Sequence, residues 1–176
     1  MQFDGILFFP LTPFDDEDKV NETVLTEHIA SGVEHGAGGV FAACGTGEIH
    51  ALSAAEHATV VRRAVEVSAG RTPVVAGAGG SVGTAIEQAT LAREAGADGV
   101  LLLPPYLVNA PQEGLVDYVR TVANAVDIPV VIYQRGTWSV SRTGSGTWGA
   151  CTRSCSPCAA CVVRTSPSST GCRPRS

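Results

Sequence analysis

Lysine and acidic residues are missing from large parts of this 176-residue sequence. Lys19 is the single lysine, and neither Asp nor Glu occurs after Asp127. Residues 1–137 contain all 17 acidic residues but only 7 of the 12 basic ones, a formal charge of −10, whereas residues 138–176 carry +5. The formal charge of −5 for the whole chain therefore averages two unlike parts.

Long apolar runs and a basic amino terminus are also missing. No run approaches the ~20 apolar residues that a membrane-spanning helix needs, and residues 1–4 lack the basic region of a secretory signal. The acidic first part disfavours nucleic acid as a partner, because phosphate backbones select basic surfaces. We therefore expect a cytoplasmic protein that binds neither membranes nor nucleic acids.

Five short apolar runs recur at regular intervals in the first part of the chain. They are residues 6–9, 39–43, 73–76, 99–103 and 129–133. Continuous apolar character means that both faces of each strand are covered, which is typical of parallel sheets. The segments between the runs have helical periodicity, and residues 34–40 and 94–100 share the pattern Glu-x-Gly-Ala-x-Gly-Val. The sequence therefore predicts repeated β/α units of about 30 residues.

Short motifs also predict where helices begin and end. Ser53 and Glu56 form a capping box at a helix start. Gly36, Gly70 and Gly96 follow predicted helix ends, where a residue with positive φ is favoured.

Strand spacing alone leaves two architectures open, an open doubly wound sheet and part of an eight-stranded barrel. A complete barrel needs roughly 250 residues, so this chain has room for only the first five strands. In both architectures the chemistry lies at the carboxyl ends of the strands. Candidate site residues are therefore sought there.

The loop after the second strand is the first candidate. Gly45, Thr46 and Gly47 leave backbone N–H groups and one hydroxyl open to a small anion such as a carboxylate. The alternative is a tight turn in which Thr46 bonds its own loop. The glycines after the third strand fail the dinucleotide fingerprint, because its last position is Val82.

Tyrosines and an arginine follow the fourth and fifth strands. Tyr133 is a candidate proton relay and Arg135 a candidate partner for a substrate carboxylate. Tyr106 places an amphipathic ring at the end of the fourth strand. The alternatives are ordinary packing for the two rings and a solvated charge for Arg135.

Metal binding is predicted only as a minor alternative. The four histidines contain no i, i+4 pair, so they do not form a metal site. The spacing of Cys151, Cys155, Cys158 and Cys161 is compatible with zinc or an iron–sulfur cluster. That tail offers few apolar residues to surround such a site.

Five motifs in order carry a resemblance to a known family. They are Gly45-Thr46-Gly47-Glu48, Gly77-Ala78-Gly79-Gly80, Leu101-Leu102-Leu103-Pro104-Pro105-Tyr106-Leu107, Gln112-Glu113-Gly114-Leu115 and Val131-Ile132-Tyr133. Residues 1–137 resemble the dihydrodipicolinate synthase/N-acetylneuraminate lyase superfamily of (β/α)8 barrels. Within it, the motifs are similar to those of the 5-dehydro-4-deoxyglucarate dehydratases.

The resemblance implies a lyase that removes water and carbon dioxide from 5-dehydro-4-deoxy-D-glucarate, giving 2,5-dioxopentanoate. A lysine on the sixth strand would form a Schiff base with the 2-oxo group. Gly45 and Thr46 would hold the substrate carboxylate, with Tyr106 and Arg135 as further substrate contacts and Tyr133 as the proton relay. The resemblance implies no metal or organic cofactor, and a homo-oligomer for the intact family. Another 2-oxo acid lyase of the same superfamily is the alternative.

The resemblance ends at residue 137. The last 39 residues contain no Leu, Ile, Phe or Met, and 21 of them are Ser, Thr, Gly or Pro. Such a composition cannot supply three more strands with their helices, so we expect residues 138–176 to be an unrelated, disordered tail. Because Lys19 lies far from a sixth strand, the family's lysine has no counterpart and the chain is predicted to be inactive.

Our hypothesis for the tail is a frameshift in a GC-rich gene. A segment rich in Arg, Ser, Pro and Cys but without acid or Lys is consistent with translation out of register. Resequencing the DNA around codons 134–140 tests it. The hypothesis fails if no alternative frame encodes a continuation with a lysine-bearing sixth strand.

Overall fold

A parallel sheet with intervening helices makes up the first part of the molecule. The computed structural model describes residues 1, 3–105, 110–134, 140–142, 148–150 and 160–163. The five parallel strands are β1 (Leu7–Phe8), β2 (Gly39–Ala42), β3 (Val74–Ala78), β4 (Gly99–Leu102) and β5 (Val130–Tyr133). The helices between them are α1 (Glu22–Glu34), α2 (Ala54–Ser68), α3 (Val82–Glu94) and α4 (Gln112–Ala125). The predicted β/α alternation is confirmed.

The strand order and the side on which the helices pack decide the architecture. The strands pair in the order β1-β2-β3-β4-β5, and every one of these pairs is parallel. The larger core cluster joins buried residues of all four helices to alternate strand residues such as Val40, Val74 and Val100. A doubly wound sheet would have helices on both faces, so a sequential sheet with helices on one face is a barrel wall. The prediction of the first five β/α units of a (β/α)8 barrel is confirmed.

The opposite face of the sheet has its own small core, which we call the inner cluster. Its buried members are Phe41, Cys44, Val75, Leu101 and Val131. The rings of Phe3 and Phe9 pack on Phe41, with centroid separations of 5.3 and 4.7 Å. No helix residue among the described ones belongs to this cluster. The inner cluster therefore corresponds to the interior of the barrel.

Local capping signals fix the helix limits. The Asn21, Ser53 and Ser81 side chains accept hydrogen bonds from backbone amides at the starts of α1, α2 and α3. Ser53 and Glu56 form the predicted capping box. Gly36, Gly70 and Gly96 have φ angles of +82°, +73° and +87° just after helix ends, as predicted. Among the described residues, no helix is both long and apolar enough to cross a membrane.

Three short strands lie in the described parts of the tail. They are β6 (Val140–Arg142), β7 (Trp148–Ala150) and β8 (Ala160–Val163). β6 pairs with β7, and β8 pairs antiparallel with β5, so that Val163 lies opposite Val130. Strand pairing needs only backbone groups, and β5 offers an open edge to β8. Most of residues 138–176 lie outside the described residues, so the unrelated, disordered tail stays a prediction. The antiparallel direction of β8 departs from the parallel order of a barrel.

Candidate active site

The loop after β2 is exposed and conformationally constrained. Gly45 and Thr46 are exposed, whereas Gly47 is buried. Ala43 and Glu48 flank this segment with φ angles of +48° and +58°, a region that side chains other than glycine rarely occupy. Both conformations cost free energy, so the surrounding contacts must hold the loop in this shape.

The Thr46 hydroxyl is not used inside its own loop. Within the loop, the Glu48 and Ile49 amides donate to the carbonyls of Gly45 and Cys44, both at 3.2 Å. None of the described residues forms a hydrogen bond with the Thr46 side chain. The described residues therefore do not form the alternative structure, a tight turn closed by a hydrogen bond of the Thr46 side chain.

A buried threonine anchors the loop from the neighbouring strand exit. Thr12, which follows β1, donates from Oγ1 to the Gly47 carbonyl at 2.8 Å. Thr12 is 8% exposed, so this hydrogen bond is shielded from water. A Cβ at Gly47 would lie 3.1 Å from the Pro10 carbonyl oxygen, which leaves little room for a side chain there. The exits of β1 and β2 thus support each other.

Two helix residues anchor the exit of β3. His57 on α2 places Nε2 2.8 Å from the Gly77 carbonyl oxygen. Gln88 on α3 accepts a hydrogen bond from the Gly79 amide through Oε1 at 2.9 Å. Both side chains are buried, and burial lowers the pKa of His57 so that its neutral form is favoured. Because Gln88 uses the Gly79 amide, this amide is occupied before any ligand arrives.

The exit of β4 is supported in a similar way. Tyr118 on α4 donates from its hydroxyl to the Leu103 carbonyl at 3.4 Å. Its burial raises the pKa of the phenol above its usual value, so Tyr118 stays protonated and keeps donating. Each of the exits of β2, β3 and β4 is therefore tied to a buried polar side chain.

Sequence reasoning missed these four anchoring residues. Thr12, His57, Gln88 and Tyr118 are each polar, and the last three lie among apolar residues on the buried faces of helices. Gln88, for example, lies between Ala85 and Ala89. A polar residue on an apolar helix face was the available signal, since buried polar groups need a partner.

The other predicted site residues are only partly within the described chain. Tyr133 ends β5, is half-buried and packs against the inner cluster, to which Cys44 at the exit of β2 also belongs. Tyr106 and Arg135 lie outside the described residues. The structure thus brings the exits of β2 and β5 to the same inner face.

Cys44 does not offer a nucleophile at this face. It is fully buried, and burial alone raises the pKa of its thiol far above the usual value. Its Sγ lies 3.5 Å from the Ala42 carbonyl oxygen. Since the thiolate is the reactive form, Cys44 contributes packing instead.

Metal ligands are not gathered at this site. Among the described residues, no group of three or more His, Cys, Asp or Glu side chains could hold a metal ion. His28 accepts a hydrogen bond from the Leu11 amide, and the His35 ring contacts the Ser31 carbonyl. Cys151, Cys155 and Cys158 lie outside the described residues, so the alternative of a metal-binding tail stays a prediction.

Lys19 lies in the loop before α1. Its Nζ is 2.7 Å from Glu17 Oε2, and its side chain is 71% exposed. Asp15 holds the turn by accepting hydrogen bonds from the backbone amides of Glu17 and Lys19, which lowers the pKa of the Asp15 carboxyl. The amine of Lys19 is thus surrounded by water and acidic side chains.

Gln88→Leu is expected to lower the free energy of unfolding by about 1–3 kcal/mol, because it leaves the buried Gly79 amide without its acceptor. Glu87→Gln is the matched control, since Glu87 is exposed on the same helix and should change stability by less than about 0.5 kcal/mol. Urea unfolding followed by circular dichroism measures both. Equal effects of the two substitutions would show that the Gln88 contact is unimportant.

Comparison with known proteins identifies relatives for most of this chain. The model of the dihydrodipicolinate synthetase family matches residues 2–146. The probable 5-dehydro-4-deoxyglucarate dehydratase 1 of Streptomyces coelicolor is 54% identical over 131 residues, covering 74% of this chain and 42% of the relative. The protein of the same name from Streptomyces avermitilis is 51% identical over the same shares.

Solved structures of the same family have a similar fold. The chloride-inhibited dihydrodipicolinate synthase of Acinetobacter baumannii, complexed with pyruvate, is 31% identical with a TM-score of 0.72. The match covers 76% of this chain and 46% of that chain. This chain therefore spans less than half the length of the relatives it matches.

Proposed function

Because the chain belongs to the dihydrodipicolinate synthetase family, we propose that residues 1–137 are the amino-terminal part of a lyase barrel that binds a 2-oxo sugar acid. The substrate we favour is 5-dehydro-4-deoxy-D-glucarate, the compound in the names of the relatives at 54% and 51% identity. In this proposal residues 138–176 are a separate, unrelated tail.

The observation that carries the proposal is the exposed loop at the exit of β2. Gly45 and Thr46 are exposed to solvent, and Thr12 holds the adjacent Gly47 by a hydrogen bond to its carbonyl. Backbone amides and an unbonded hydroxyl in an exposed loop suit a small carboxylate. Donors that already have the right geometry bind an anion without a free-energy cost for rearranging the loop. Gly45 and Thr46 are therefore our carboxylate-binding residues.

The remaining residues take roles that follow the family mechanism. Tyr133 relays a proton at the mouth of the barrel, and Tyr106 and Arg135 contact the substrate. The reaction of the complete enzyme consumes one proton and releases water and carbon dioxide, leaving 2,5-dioxopentanoate. A lysine amine condenses with the 2-oxo group, and the resulting iminium withdraws electrons from the bonds that break.

This chain is proposed to bind such an acid without converting it. The family mechanism needs an amine on the strand after β5, and the single lysine precedes α1. We propose a cytoplasmic location for the protein. A homo-oligomer is proposed only for the complete enzymes of the family. The proposal includes no metal or organic cofactor.

A second candidate is a lyase that acts on a different 2-oxo acid. The relative from Acinetobacter baumannii supports it, because that dihydrodipicolinate synthase binds pyruvate and is 31% identical to this chain. Pyruvate shares the carboxylate and the 2-oxo group with the sugar acid. The two candidates therefore predict the same carboxylate contact at Gly45 and Thr46.

Thr46→Val is expected to raise the dissociation constant for pyruvate about tenfold or more, because a hydrogen bond to a charged carboxylate contributes about 1.5–3 kcal/mol. Thr46→Ser is the control, since it keeps the hydroxyl and should bind close to the unsubstituted protein. Isothermal titration at neutral pH measures the three constants. Unchanged binding by Thr46→Val would remove Thr46 from the site.

A further inference from the structure

His57 is a fully buried imidazole on α2 with one used and one unused nitrogen. Its Nε2 lies 2.8 Å from the Gly77 carbonyl oxygen. Since a carbonyl can only accept, Nε2 must carry the proton in this contact. Nδ1 is buried and has no partner among the described residues. The ring is therefore a neutral donor aimed at one backbone oxygen.

Gly77 connects His57 to the loop after β2. A Cβ at Gly77 would overlap the Ala43 carbonyl oxygen and would lie 3.0 Å from the Cα of Cys44. The backbones of β3 and of the turn at Ala43 are thus in the closest contact that a glycine permits. A displacement of Gly77 must therefore move Ala43, whose φ of +48° begins the bend toward Gly45 and Thr46.

Packing alone does not account for an imidazole at this position. An apolar side chain would fill the same space on α2 beside Val60 and Val61 without burying two ring nitrogens. The unpartnered Nδ1 loses its hydrogen bond to water on burial and gains none in return. Within the part of the chain that the structure describes, the hydrogen bond to Gly77 is the one polar contact of the ring that offsets this loss.

We infer that His57 is a positioning residue: through its hydrogen bond to Gly77 it holds the turn at Ala43 and so sets the geometry of Gly45 and Thr46. The part of this inference that concerns a ligand rests on the proposed function. The part that concerns loop geometry is independent of it. Among the described residues His57 forms no hydrogen bond with Gly45 or Thr46, so its proposed effect on them passes through Gly77.

The first experiment uses the unsubstituted protein. Nitrogen-15 NMR of the histidine rings at neutral pH should show His57 as the neutral tautomer with the proton on Nε2. An imidazolium, or a proton on Nδ1, would overturn the inference, because neither form is consistent with the Nε2–Gly77 bond and a bare Nδ1.

The second experiment compares His57→Phe with His57→Gln, whose amide can donate from nearly the position of Nε2. We expect His57→Phe to shift the amide resonances of Gly45, Thr46 and Gly47 and to weaken pyruvate binding about tenfold. His57→Gln should restore at least half of both effects. His35→Gln is the control, since His35 is exposed and lies just after the end of α1.

The outcomes separate the two proposals. Loop shifts in His57→Phe no larger than those of His35→Gln overturn the positioning role. If the unsubstituted protein binds no pyruvate while the loop shifts appear and recover in His57→Gln, the positioning role stands and the proposed function fails. If His57→Phe does not fold, His57→Leu takes its place, because it also removes the donor and is smaller: loop shifts larger than those of His35→Gln support the inference, and shifts no larger than those contradict it.

Discussion

Borohydride treatment of this chain in the presence of pyruvate or 5-dehydro-4-deoxyglucarate is expected to give no lysine adduct, and dehydration is expected at the rate without protein. The proposed mechanism depends on an iminium between a lysine and the 2-oxo group, which borohydride would reduce to a stable amine. Without that electron sink, the remaining contacts can bind the acid but cannot stabilise the electrons released from the breaking bonds.

The position of Lys19 explains why no Schiff base is expected in this chain. A Schiff-base lysine is activated by desolvation in an apolar pocket or by a neighbouring cation. The Lys19 side chain is 71% exposed and forms an ion pair with Glu17 instead. Its turn lies in the connection from β1 to α1, not on a strand beside β5.

Mass spectrometry of proteolytic peptides measures the result and separates Lys19 from the amino-terminal amine of Met1. The relative from Streptomyces coelicolor, treated in parallel, is the positive control. Lys19→Arg is the matched variant, because it keeps the charge and removes the amine. A reduced adduct at Lys19, or turnover that disappears in Lys19→Arg, would refute the prediction.

Gly77→Ala is expected to lower the free energy of unfolding by about 3 kcal/mol or more, or to prevent folding altogether. The added Cβ would overlap the carbonyl oxygen of Ala43, a backbone atom that no rotamer change can move away. This overlap can be removed only if β3 moves away from the turn after β2. Both lie against the inner cluster, where Val75 and Cys44 are fully buried.

Gly83→Ala is the matched control for this substitution. Gly83 lies in the first turns of α3, is exposed, and has open space where a Cβ would be built. The same methyl group should therefore stabilise the protein by about 0.5–1 kcal/mol through helix propensity. Urea unfolding compares the two variants. The predicted clash is absent if Gly77→Ala unfolds at the same urea concentration as the unsubstituted chain.

Much of the fold was predictable because its signals are local. Continuous apolar runs predicted the five parallel strands, and the strand limits differ from the structure by no more than two residues. Ser53 with Glu56 predicted the start of α2, and Gly36, Gly70 and Gly96 predicted positive φ after three helices. Each signal depends on residues within a few positions of one another, so no knowledge of the tertiary fold was needed.

The candidate site was predictable only as a set of strand ends. Gly45 and Thr46 follow an apolar run, which was enough to put them at the exit of β2. What holds that loop was not predictable. The Thr12–Gly47 contact joins residues 35 positions apart, and His57 reaches Gly77 across 20 positions. No sequence pattern relates such pairs, because their separation is set by how the helices pack on the sheet.

The described parts of the tail show a contact that composition does not indicate. β8 pairs with β5 along four residue pairs, although the tail contains no Leu, Ile, Phe or Met. Composition measures how much apolar surface can be buried, whereas strand pairing depends on the nearest open edge. The edge at β5 exists only once the parallel sheet has formed.

The sequence by itself showed that lysine is scarce and that the acidic residues all lie in the first part of the chain. It also predicted the strands, the helices and the family motifs. They determined a domain of this family, which the family model matches over residues 2–146, and a chain whose single lysine is Lys19. Only the tertiary structure decided that all four helices pack on one face as in a barrel wall, and that Thr12, His57 and Gln88 hold the strand exits. The physical reason is range: periodicity and capping act within a few residues, whereas the order of strands and the contacts of buried polar groups arise when distant segments pack together.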